Sequence, residues 1–150
     1  MEKEKTIDVL NTLVEINNDR IEGYETASKE TDEQDLKTLF AQLAINSKKC
    51  KQELTDEILK LGGKPTEDTN ATGKFFRVWM DVKAALTGKN RRAILNSCEF
   101  GEDQAIDTYE KALNDDLEYL SLGQQSMIYA QHAILKADHN RVKFLRDALL

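Results

Sequence analysis

A single proline, Pro65, stands among 150 residues. On both sides of it, apolar residues return every three or four positions over long stretches. That spacing is the period of a helix with one buried face. Strand alternation does not appear. A chain so patterned buries its apolar stripes by packing helix on helix, which predicts an all-α fold with four long helices. The 32% of charged residues suits solvated outer faces.

The stretch CEFGEDQAIDTY, Cys98 to Tyr109, breaks the pattern in one place. On a helix turning about 100° per residue, Leu95, Cys98, Ala105, Ile106, Tyr109 and Leu113 all fall within about 60° of Glu102. A carboxylate therefore stands at the centre of the apolar stripe, with Glu99 at its border. Asp103, Asp107 and Lys111 point away. A buried lone carboxylate costs several kcal/mol, so Glu102 must be paired, protonated or metal-bound.

Taken in order, the first helix is predicted over 3–29. Val9, Leu10, Leu13, Ile16, Tyr24 and Ala27 form its stripe, and Asn17 and Arg20 lie within it. Asp19 and Glu22 are expected outside. Arg20 is the natural partner for Glu102, since guanidinium and carboxylate match in shape. Thr31 and Gln34 read as a capping box opening a second helix over 32–61. Leu36, Leu39, Phe40, Leu43, Cys50, Leu54, Ile58 and Leu61 line its inner face, interrupted by Asn46 and Ser47. Gly62-Gly63 and Pro65 stop it. After a polar loop, a short helix over 72–87 carries Phe75, Phe76, Trp79, Val82 and Leu86 on one face, ending at Gly88. The third long helix runs from about Asn90 to Asn114 and the fourth over 117–148. Gln124, Gln131, Asp138 and His139 share the inner face of the fourth with its leucines, and His132 lies at the edge. Gly23 and Gly101 fall at stripe edges, where they would let helices approach closely. Asn17, Arg20, Asn46, Glu102 and Gln131 are the expected buried polar cluster.

The net charge of −6 argues against a general nucleic-acid binder. The basic run at Ser47-Lys48-Lys49-Cys50-Lys51 reads as a solvated helix face. No apolar run reaches a membrane span, and the charged start MEKEKTIDVL has no signal core. With two cysteines, Cys50 and Cys98, on apolar stripes, a cytoplasmic protein with buried thiols is expected. The length suits a single domain over 1–150. No nucleophile stands beside a base at a defined spacing and no glycine-rich phosphate loop occurs, so no catalytic residue and no organic cofactor is assigned.

Arg20, Gly23-Tyr24 and Ala27, the Trp79 helix, and Glu99, Gly101-Glu102-Asp103, Tyr109 and Ala112-Leu113 together resemble a bacterial ferritin-like four-helix-bundle family of unassigned function. The resemblance spans nearly the whole chain. It implies four long helices with a short helical crossover between the second and third. The wider ferritin-like superfamily often holds two metals with inward glutamates and Glu-x-x-His pairs. This chain has no Glu-x-x-His, and Arg20 and Asn17 stand where an inward glutamate would sit.

Two functions follow. The first is a non-catalytic structural, interaction or stress-related module with a buried Arg–Glu core in place of a di-metal site. The alternative is an iron- or manganese-binding protein or oxidase, with Glu99, Glu102 and His132 as candidate ligands. No nucleic-acid or membrane partner is expected. The face of Phe75, Phe76 and Trp79 either clasps its own helices or packs on a second subunit or a protein partner.

Overall fold

The computed structural model describes residues 2–67 and 90–148, with positions 84, 87 and 88 between them. Four long helices carry the fold: α1 (Glu2–Glu30), α2 (Gln34–Lys60), α3 (Arg91–Asp115) and α4 (Leu122–Asp147). No strand occurs among the described residues. No helix among them is long and apolar enough to cross a membrane.

Side-chain pairs set the helix directions. Ser28 reaches the Lys37 carbonyl and Lys48 reaches Glu25, so α1 and α2 run antiparallel. His132 meets Glu110 and His139 meets Asp103, so α3 and α4 do the same. Arg91, at the start of α3, holds Glu33 at 3.0 Å and Asp35 at 2.6 Å beside the start of α2. Thus α2 and α3 begin at the same end and run parallel. The connection from Leu61 to Asn90 therefore joins opposite ends of helices about 40 Å long. The expected short helix over 72–87, with Phe75, Phe76 and Trp79, lies outside the described residues apart from helical Ala84 and Thr87. Gly88, expected to end it, is itself helical.

Helix ends follow local chemistry, with two departures from expectation. At the end of α2, Gly62 takes φ +78°. Its N–H donates to Leu59 O, and the Gly63 N–H donates to Ile58 O. This is the paired closure that a left-handed residue permits. Gly63 also lies so close to Ile7 that a Cβ there would stand 2.8 Å from its Cδ1. The Thr31–Gln34 capping box does not form. The Thr31 hydroxyl instead accepts from the Glu33 N–H, and Glu33 precedes the helix without a side-chain cap. The fourth helix does not begin at Leu117 either. Leu117–Tyr119 is a 3-10 turn, and α4 opens with a capping box in which Ser121 and Gln124 each satisfy the other's backbone N–H.

The apolar core falls into two clusters. One gathers Leu10, Leu13, Leu54, Ile58, Ile106, Tyr109, Ile128 and Leu135. The other gathers Tyr24, Leu36, Phe40, Leu43, Ile94, Leu95 and Val142. Between them, every helix contributes polar side chains at the same level. Gly23 and Gly101 are buried on α1 and α3 next to this level. Asp19, expected outside, is 7% exposed. The chain beyond α2 folds back over this part of α1, where Asn18 reaches the Thr66 carbonyl.

Candidate functional site

The polar belt is centred on Arg20. It and Glu102 are fully buried, 0% exposed. Arg20 Nη2 donates to Glu102 Oε1 at 2.7 Å and to Asp138 Oδ2 at 3.1 Å. Arg20 Nη1 donates to the Ser47 hydroxyl. The guanidinium also lies 5.6 Å from the centre of the Tyr24 ring, a cation–π contact. The Tyr24 hydroxyl donates to the same Glu102 oxygen at 2.7 Å. From the half-buried side, Asn46 Nδ2 donates to Asp138 Oδ1 at 2.9 Å. One cation thus ties all four helices together.

A second group lies about one turn along the axis. Asn17 Nδ2 donates to the Tyr109 hydroxyl at 2.8 Å, which donates to Gln131 Oε1 at 2.7 Å. Gln131 Nε2 then reaches Cys50 O and Glu53 Oε1. The expected cluster of Asn17, Arg20, Asn46, Glu102 and Gln131 is therefore spread over two levels. Asn17 and Gln131 belong to the tyrosine level; Arg20, Asn46 and Glu102 belong to the arginine level. Ser47, Tyr24 and Asp138 complete the arginine level. All three were visible on inner faces in the sequence, but no spacing rule paired them with Arg20.

Burial governs the chemistry here. Burial alone would lower the affinity of Arg20 for its proton, but Glu102, Tyr24 and Asp138 outweigh it and hold the guanidinium firmly charged. Burial pushes the Tyr24 and Tyr109 hydroxyls and the Cys98 thiol well up, and Cys50 up to about 11. These groups stay protonated at neutral pH, so none is a ready nucleophile or base. An open groove of about 520 Å³ between α1 and α3 is lined by Val9, Ile16, Thr108 and Lys111. No residue of the arginine level borders it.

Asp138 carries a pH signature. Burial pushes its carboxyl above the usual range; Arg20 pulls it back and Glu102 pushes it further up. A raised native value means the folded chain holds the proton longer than the unfolded chain. The stability from this group is complete below the ordinary carboxyl value of about 3.9 and is lost as pH rises through the native value. We expect Asp138→Asn to lose this dependence. Urea midpoints from about pH 4 to about pH 8 should move in favour of the variant as pH rises. A constant difference between the two proteins would contradict this.

The three candidate metal ligands are not brought together. Glu102 points to Arg20, while Glu99, three residues earlier, turns toward α4. There Arg146 Nη1 meets Glu99 Oε2, and His139 Nε2 lies 3.6 Å from Glu99 Oε1. His132 instead faces Glu110 at 3.4 Å. It lies seven residues from His139, two turns along α4, and so level with a different part of α3. Nor does the core donor set fit a dinuclear metal centre. Glu102 Oε1 and both Asp138 oxygens accept from Arg20, Tyr24 or Asn46, and of these four carboxylate oxygens Glu102 Oε2 alone has no hydrogen-bond partner among the described residues. A guanidinium at the centre would also repel a dication.

The fold and this belt define an all-α protein whose four helices are joined through one buried arginine. The chain belongs to the family described as Domain of unknown function (DUF2383), whose model matches residues 5–115. That span contains Arg20, Ser47 and Glu102 and ends with α3. Asp138 and Gln131, on α4, lie beyond it. Comparison with curated proteins gives no match.

Proposed function

We propose that the protein is a cytoplasmic, single-domain, ferritin-like four-helix bundle that works without catalysis, as a structural, interaction or stress-related module. Its core arginine takes the place of a di-metal site. The ferritin-like reading is supported by two antiparallel helix pairs with α2 parallel to α3, the arrangement produced by one lengthwise crossover. The cytoplasmic reading is supported by two buried free thiols, Cys50 and Cys98.

The observation that carries the proposal is the Arg20 guanidinium holding Glu102 and Asp138 at mid-core. Such a network specifies how four helices register against one another. Metal content tests it. Native protein and Glu102→Gln, purified without chelators from cells given iron and manganese, should contain equally little of either metal by mass spectrometry. Stoichiometric iron or manganese in the native protein, lost in the variant, would replace this reading with a ferritin-like metalloprotein.

A further inference from the structure

We propose that Glu99, Asp103 and His139 form a divalent-cation site on the α3–α4 seam, suited to zinc and separate from the buried arginine belt. Glu99 and Asp103 are four apart on α3, so their carboxylates share one face. His139 meets them from α4, with Nε2 at 2.9 Å from Asp103 Oδ1 and 3.6 Å from Glu99 Oε1. One ligand atom from each residue lies within 4.8 Å of the others. For a cation about 2.1 Å from each atom, those two separations subtend angles of about 90° and 120°. These bracket the tetrahedral angle for the two pairs that include His139.

Two features outside the trio orient its donor atoms. Asn140 Oδ1 faces His139 Nδ1 at 3.4 Å. A proton on Nδ1 leaves the Nε2 lone pair aimed at the carboxylates, as outer partners do for metal-bound histidines. Arg146 Nη1 lies in an ion pair on the Glu99 Oε2 side, and Oε1 faces His139. The site is also reachable: His139 and Glu99 side chains are each 17% exposed and Asp103 is 49% exposed. Two carboxylates against one Arg146 leave a net charge of −1 that attracts a dication, with Arg146 at the edge of the trio working against it. One imidazole with two carboxylates favours zinc over calcium or magnesium, which take oxygen-rich shells. His132 provides the internal contrast, because it pairs with the single carboxylate of Glu110.

The test is calorimetric titration of the full, metal-stripped chain with zinc chloride. We expect one saturable site per chain. His139→Ala and Asp103→Asn should each weaken it at least tenfold, and His132→Ala should leave it unchanged. Asp103 is exposed enough that its variant keeps the fold, and circular dichroism checks both. Absence of a saturable site would overturn the proposal. Equal affinity in native protein and the two seam variants would overturn it as well. A metal centre in the core would give the opposite pattern, lost with Glu102→Gln and retained in His139→Ala.

Discussion

Arg20→Met destabilises the protein by about 3–5 kcal/mol, the usual cost of removing one partner from a buried ion pair. The loss comes less from the missing attraction than from what stays behind. Among the described residues, Glu102, 0% exposed, then keeps only the Tyr24 hydroxyl, and Asp138 only Asn46. Because two carboxylates depend on Arg20, the double variant Arg20→Met with Glu102→Leu recovers only part of the loss. Adding Asp138→Leu recovers more, since no charge is then stranded. Urea unfolding followed by circular dichroism measures each step. A triple variant no more stable than Arg20→Met alone would show that stranded charge is not the cause.

Phe40→Ala costs about 3–5 kcal/mol, whereas Phe40→Leu costs about 1.5 kcal/mol or less. Phe40 is fully buried and stacks on Tyr24, with ring centres 5.8 Å apart and planes 21° apart. Loss of the ring leaves a cavity in the cluster that holds Leu36, Leu43 and Leu95. It also loosens the support of Tyr24, whose hydroxyl bonds Glu102. Phe40→Ala and Tyr24→Phe should therefore be non-additive, with a coupling of about 0.5–1.5 kcal/mol. Additive thermal or urea stabilities would place Phe40 outside the polar belt's support.

Residues at the centres of their stripes were legible without coordinates. Glu102 and Arg20 each stood at the centre of an apolar stripe, where an isolated charge is costly, and the structure places them 2.7 Å apart. Asn17 and Gln131 were legible for the same reason. The stop after α2 was legible because Gly62-Gly63 followed by Pro65 allows little else. The Ser121-x-x-Gln124 capping box was readable by rule, yet an unbroken fourth helix from Leu117 masked it. Thr31-x-x-Gln34 shows the converse, a matching pattern whose threonine bonds elsewhere.

Other features depend on how the helices are rotated against one another. Asn46 and Ser47 are adjacent and differ by about 100° around α2. Only packing decides that Ser47 meets Arg20 while Asn46 approaches Asp138 from the rim. The same rotation sends Glu99 to His139 and Arg146, away from Glu102 and His132. Burial of Asn18 and Asp19 follows where the chain returns over α1 after α2.

By itself, then, the sequence determined that long amphipathic helices form, which faces they bury, and that a buried glutamate needs a partner, for which Arg20 was the matching candidate. These are local consequences of a 3.6-residue period and of the cost of isolated charge. Tertiary structure alone decided that Asp138 would share that arginine and that Glu99, Asp103 and His139 would meet. Those contacts join residues far apart in the chain, and their geometry is set by the packing of whole helices.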